Sequence, residues 1–220
     1  MMHASYRERV TVLDVPAAER AYSDTKLRIL RGDLPGGSSL SEIAVCGELG
    51  LSRTPVHEAF LRLASEELLT LESRKGAVVR PMSPSEADDV VEMREAVEAT
   101  AARRVIRSSA GSALVASLSE LLARQESCLA DGDVDGFVEA DDAFHHAVVE
   151  ASQNPIALHF SRLIHDRAQR LRYRFMRIRP EHLAQSLADH RALAEAIAAG
   201  DEAAYAATLA RHVDMLRGIL

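Results

Sequence analysis

The chain has 220 residues, 47% of them hydrophobic and 27% charged, an ordinary globular composition that excludes wholesale disorder and fibrous repeats and leaves room for one large domain or two small ones. No stretch reaches the roughly 18 apolar residues of a membrane span, and the start MMHASYRERV has no apolar signal core. The net charge of −7 falls on one part: residues 1–80 carry 11 basic and 11 acidic side chains, so the whole excess lies in 81–220, together with seven of the nine histidines. Two domains with different partners are the simplest account, and a neutral first domain can still carry a basic stripe for nucleic acid. Cys46 and Cys128, far apart and without a CxxC pattern, read as reduced thiols of a cytoplasmic protein.

In chain order, residues 1–15 read as a loose arm, and Pro16 to about Leu30 as a helix with Ala17, Ala21, Leu27 and Leu30 recurring. GDLPGGSSL, rich in glycine and serine, predicts a loop. Ser41–Leu49 predicts a short helix ended by Gly50. SRTP then places Ser52 at a cap and Pro55 in the first turn of a further helix, to about Glu66. LLTLESRKGAVVR reads as two strands, Leu69–Glu72 and Ala77–Arg80, around a Lys75-Gly76 turn. Three helices and a hairpin, with only Gly50-Leu51 between the second and third helices, make the layout of a winged helix-turn-helix.

That motif puts the start of its second helix into the major groove. Arg53 can there form a bidentate bond to guanine, Ser52 and Thr54 can reach phosphate, and His57, one turn on, faces the same way. Lys75 and Gly76 at the hairpin tip complete the candidate DNA contacts. SRTP alone is only a good helix start and KG only a good turn; in this order and spacing they point to DNA.

A boundary is expected at Pro81-Met82-Ser83, giving a DNA-binding domain over 1–81 and a second domain over 82–220. Ser83-Pro84-Ser85-Glu86 is a capping box. Helices follow near 84–107, 112–130, 134–152, 155–177, 181–199 and 202–218, with Asn154-Pro155 as another cap. The predicted fold class is mainly α: a winged helix-turn-helix with a small β-hairpin wing, then an all-α six-helix bundle.

Four polar residues fall on the apolar stripes of that bundle. Asp141 and His145 share a face with Phe137, Phe144 and Val148; His190 lies in line with Leu183, Leu187 and Ile197; His212 lies in line with Tyr205 and Leu209. A single inward histidine is ordinarily a hydrogen-bonded core residue, but a buried carboxylate needs a partner. Three imidazoles and a carboxylate from three helices are how bundles build metal sites. The set suits Zn2+ first, with Ni2+, Fe2+ and Mn2+ also compatible. Asp142 and His146 are neighbouring alternatives rotated off the stripe. Arg94 interrupts the inward series of the bundle's first helix; its partner is either a ligand carboxylate or a neighbouring Glu. Of the seven arginines from Arg162 to Arg179, most are expected on a solvated or ion-paired face and one or two at an effector pocket.

LSEIAVCGELGLSRTPVHEAFLRLASEELLTLESRKGAVV resembles the winged helix of GntR-type bacterial transcription regulators. Two positions depart from that pattern: His57 stands where Arg is usual, and Ile43 where a polar or basic residue is frequent. A neutral His implies a weaker contact and an operator that differs from the usual one. DDAFHHAVVEASQNP and DHRALAEAIAAGDEAAYAATLARH resemble the FadR-type C-terminal ligand-binding domain, known as the FCD domain, in its shorter six-helix form. The resemblance implies metal ligation by Asp141, His145, His190 and His212, a homodimer, and a small carboxylate effector near the metal. The function expected is a metabolite-responsive regulator, a repressor, on an inverted-repeat operator in double-stranded DNA. Two competing readings are a metal-dependent hydrolase, for which no HExxH, nucleophile elbow or phosphate loop is present, and a direct metal sensor.

Overall fold

The computed structural model describes residues 15–72, 76–108 and 111–220, with side chains except at 111–113. The expected N-terminal arm, apart from Val15, and Lys75 lie outside the described residues. The chain divides into two compact units, Met1–Leu27 with Gly37–Arg80 and Arg28–Gly36 with Pro81–Leu220.

The first unit is built on α1 (Ala17–Arg31), whose last residues belong to the second unit, with α2 (Glu42–Leu49) and α3 (Arg53–Ser65). Val56, Ala59, Phe60 and Leu63 form the buried face of α3, the i, i+3, i+4, i+7 stripe of an amphipathic helix. The opposite face, with Arg53, Thr54 and His57, is exposed as a consequence. Gly50, at φ +64°, ends α2, and Leu51 N–H donates to the Cys46 carbonyl at 3.0 Å. Three residues, Gly50, Leu51 and the N-cap Ser52, thus turn the chain from α2 into α3.

The sheet has a strand that the sequence reading assigned to a loop. β1 (Ser39–Leu40) pairs antiparallel with β3 (Gly76–Val79), which pairs antiparallel with β2 (Leu69–Glu72), in the order β1-β3-β2. Two residues are too few to show alternation; β1 exists because the free edge of β3 offers it backbone partners. Gly76 is fixed by the same pairing: its φ is +93°, and a Cβ there would collide with the Leu40 carbonyl oxygen.

The second unit holds α4 (Pro84–Ile106), α5 (Gly111–Asp131), α6 (Val134–Ala151), α7 (Pro155–Ile178), a 3-10 turn over Pro180–His182, α8 (Leu183–Ala199) and α9 (Glu202–Asp214). Ser83 Oγ accepts from Glu86 N–H at 3.1 Å, as the capping box requires, but the Glu86 carboxylate is taken by Arg167 Nε at 3.0 Å. Asn154, Asp133 and Asp201 cap α7, α6 and α9. α9 ends at Asp214, short of the expected 218, because Leu216 and Arg217 donate to carbonyls three residues back and tighten the chain. Leu216 stays buried nonetheless. No helix of the described residues is long and apolar enough to cross a membrane, and both cysteines are free thiols.

Candidate metal centre and nucleic-acid interface

Every named position of the stripes read for the six-helix bundle is buried, including the polar ones, whereas Leu27 of the series read for α1 is exposed. α6 carries Asp141 and His145 one turn apart, α8 carries His190 and α9 carries His212; the four are between 0% and 3% exposed. Their ligand atoms all lie within 4.8 Å of one another. The three Nε2 atoms converge, 3.1 Å from His145 to His190, 3.2 Å from His145 to His212 and 3.3 Å from His190 to His212. Asp141 Oδ1 is 3.2 Å from His190 Nε2.

The other edge of each ring meets an acceptor. His190 Nδ1 donates to Gln125 Oε1 at 2.6 Å. His145 Nδ1 lies 2.7 Å from Glu98 Oε2, and His212 Nδ1 faces Asp189 Oδ2 at 3.7 Å. A carboxylate oxygen or an amide oxygen only accepts, so Glu98 and Gln125 favour the proton on Nδ1 of His145 and His190 and turn their Nε2 lone pairs toward one point, while Asp189 is too far from His212 for a hydrogen bond. Burial pushes the His145 and His212 imidazoles down, to about 4 and about 3, against the pull of Glu98 and Asp189, so both are neutral at physiological pH. Burial raises the Asp141 carboxyl, but Arg172, His190 and His145 outweigh it and hold it well below the usual range. Neutral imidazoles at His145 and His212 and an ionised Asp141 carboxylate, with the His190 ring beside them, form a set of donors suited to a divalent ion.

Around this centre the structure adds groups that the sequence reading missed. Glu98 sits four residues after Arg94 on α4, where an i, i+4 pairing rule would have found it. Gln125 lies seven residues after Leu118, on the buried stripe of α5. Asp189 directly precedes His190 and has no periodic signal. Arg172, one of the seven arginines, is 4% exposed and spans both acidic neighbours, Nε to Asp141 Oδ2 at 2.9 Å and Nη1 to Asp142 Oδ1 at 2.6 Å. Asp142, rotated off the stripe, is thereby a partner of Arg172 and of His165, whose Nε2 is 2.9 Å away.

Arg94, predicted for the effector, is 2% exposed and donates from Nε to Glu98 Oε1 at 2.7 Å. Its Nη2 is buried without a hydrogen-bond partner. Of the two alternatives for this residue, the structure shows the internal Glu, on Nε. Arg94, His145, His146, His165 and Arg172 line a small cavity of about 20 Å3 beside the centre.

At the opposite end of the chain, Ser52 stands at the N-cap of α3 with an extended backbone and no side-chain cap hydrogen bond. Arg53, Thr54 and His57 are exposed along the following turn. Among the described residues Arg53 has no carboxylate partner, whereas His57 Nδ1 is 2.7 Å from Glu42 Oε1 on the first turn of α2. Ile43, the other departure from the pattern, is 64% exposed.

Residues 17–79 match the family model for bacterial regulatory proteins of the gntR family, and residues 89–215 match the FCD domain. The chain is 32% identical over 131 residues to an HTH-type transcriptional regulator from the TAR-I ttuE-ttuC' intergenic region of Agrobacterium vitis, covering 59% of this chain and 77% of that one. It is also 32% identical over 132 residues to the gluconate operon transcriptional repressor of Bacillus licheniformis, where the match spans 60% of this chain but 54% of the relative. Among solved structures, Escherichia coli McbR/YncC superposes with a TM-score of 0.75 at 24% identity over 91% of this chain and 95% of its own. A GntR regulator from Rhodococcus sp. RHA1 gives 0.74 at 23%, over 90% and 93%. These relatives are transcriptional regulators, not enzymes. With the winged helix and the helical domain both matched, the chain belongs to the gntR family of bacterial regulatory proteins, as a DNA-binding transcription regulator with an FCD domain.

Proposed function

We propose that this regulator is a homodimeric, metabolite-responsive repressor of the cytoplasm, whose grip on an inverted-repeat operator changes when a small organic acid binds beside a divalent ion. DNA reading belongs to residues 1–81, through Ser52, Arg53, Thr54, His57, Lys75 and Gly76; sensing and dimerisation belong to 82–220. The observation that carries the sensing half is the convergence of three Nε2 lone pairs within 3.1–3.3 Å. Without a cation these lone pairs repel one another in a site of low dielectric; a divalent ion among them turns repulsion into ligation. Asp141, His145, His190 and His212 would hold it, Zn2+ fitting the nitrogen-rich set best and Ni2+, Fe2+ or Mn2+ also fitting. The ion would supply positive charge and a Lewis-acidic face to an anionic ligand.

The chain's own groups do the remainder. Arg94 lines the cavity and its Nη2 has no hydrogen-bond partner, which supports a role for it in taking a carboxylate oxygen. Arg172 is already engaged by Asp141 and Asp142 and steadies the ligand set. The cavity's 20 Å3 holds about one water, so an organic acid must push back Ser161, Ile164 and His165 on α7. α7 also bears an exposed apolar stripe, Ile156, Phe160 and Leu163, at 64%, 42% and 53% exposure. That stripe supports a subunit interface, and displacement of α7 then couples effector to dimer geometry. Repressors named among the relatives support the sign of the regulation.

The test begins with a thermal-shift screen of small organic acids on metal-loaded protein, since ligand binding raises apparent stability by mass action. The parent should hold one divalent ion per subunit. His190→Ala should lose the ion and the effector response while keeping operator affinity, because no ligand lies in the winged helix. A metal-free His190→Ala protein that still answers the effector normally would exclude the metal from sensing. Operator affinity that changes on chelation alone, with no organic acid present, would favour a direct metal sensor.

A further inference from the structure

We infer that His57 reads an amino-bearing base, adenine or cytosine, through Nε2, and that Glu42 is the positioning residue that makes it do so. The inference rests on the reading of α3 as the helix that enters the major groove. His57 Nδ1 and Glu42 Oε1 are 2.7 Å apart, with the imidazole side chain 55% exposed and the carboxylate 28%. An ionised carboxylate has acceptors only, so the shared proton belongs to Nδ1. In a neutral imidazole the second nitrogen then bears the lone pair, and Nε2, on the ring edge away from Glu42, is an acceptor.

Major-groove edges sort cleanly against such a group. Adenine N6 and cytosine N4 donate, whereas guanine N7 and O6 and thymine O4 only accept. His57 therefore complements the bases that its neighbour does not: Arg53, one turn earlier on the same exposed face and without a carboxylate partner, presents donors and suits guanine. Glu42 selects between the two. It pairs with His57 and, among the described residues, not with Arg53. An Arg at position 57 would offer donors only and read guanine, so the histidine changes which base is read and is more than a weakened arginine contact.

The test is selection of operators from a randomised DNA library by the full-length, metal-loaded protein at pH 8, above the range in which an imidazole ordinarily titrates. Four variants run beside the parent: His57→Arg, Glu42→Ala, Glu42→Gln and Arg53→Ala. The parent should prefer adenine or cytosine at one position per half-site by about 3- to 10-fold, the worth of a single hydrogen bond. His57→Arg should turn that position, and no other, to guanine. Glu42→Ala should abolish the preference there, and Glu42→Gln, whose amide oxygen still accepts from Nδ1, should retain it. Nitrogen-15 spectra of the imidazole give an independent readout: the Nδ1-protonated tautomer in the parent and in Glu42→Gln, and its loss in Glu42→Ala. A parent preference for guanine or thymine where His57→Arg acts, or a Glu42→Ala profile identical to the parent's, overturns the inference. If Arg53→Ala selects the same operators as the parent, the placement of α3 in the groove has failed and this inference falls with it. If Arg53→Ala loses its guanine while Glu42→Ala changes nothing, only the role of Glu42 and His57 is wrong.

Discussion

His145 and His212 each face a carboxylate, an arrangement that ordinarily favours the charged imidazole, yet burial wins at both and keeps them neutral at physiological pH. Their folded values, about 4 and about 3, lie below the value of about 6.5 for an unfolded histidine. As pH falls below about 6.5 the unfolded chain therefore binds protons first, and stability is drawn off until the folded values are reached. Metal-free protein, measured by thermal denaturation in chelator, should lose melting temperature steadily from pH 7 to 4.5, and His145→Asn should show a shallower slope. A parent curve as flat as the variant's would contradict the neutral buried imidazoles. Helical periodicity could indicate that Asp141, His145, His190 and His212 point inward, since each falls on an apolar stripe. It could not supply the facing of Asp189 to His212 or of Arg172 to Asp141 and Asp142, because these partners lie on other helices and no local spacing encodes a contact across the bundle.

Among the elements, α4, α6, α7 and α9 have legible starts because Ser83, Asp133, Asn154 and Asp201 each accept a backbone N–H of the first turn, whereas α2 and α3 make no side-chain cap hydrogen bond and are marked by Gly50 and by the SRTP spacing. β1 was not legible, since a two-residue strand exists only by virtue of the edge it joins. The cost of disturbing that edge can be separated from the cost of backbone strain. Gly50 and Gly76 both have positive φ, but a Cβ at Gly50 meets nothing within 4 Å whereas at Gly76 it meets the Leu40 carbonyl. Gly50→Ala should therefore cost only the conformational term, about 1 kcal/mol. Gly76→Ala should cost more, about 2–4 kcal/mol once strain and a broken strand pair are combined. Denaturant unfolding followed at the winged helix would show this order; equal losses would mean that β1 gives way freely.

At the scale of the whole molecule, the exposed stripe of α7 is the feature that a single chain leaves unexplained. Ile156, Phe160 and Leu163 recur at i, i+4 and i+7, the spacing of a face meant for burial. Leu163→Glu places a charge on this stripe and should convert the proposed dimer into monomers by sedimentation or light scattering. Operator affinity should fall at least 10-fold, because two tethered winged helices bind far better than one. A Leu163→Glu protein that remains dimeric would move the interface to another surface.

The sequence by itself determined the helices of both units and the two hairpin strands to within a few residues, the family, the inward-facing Asp141, His145, His190 and His212 and the exposed face of α3, because each is written in local caps, periods and motif spacing. Tertiary structure alone decided which nitrogen of each imidazole faces the centre, through Gln125, Glu98 and Asp189 from other helices. It also decided that Arg94 keeps one donor unfilled, that β1 joins the sheet, and that Glu42 rather than a phosphate-seeking neighbour engages His57. Each of these depends on an atom brought close by packing, and packing distance is not a function of spacing along the chain.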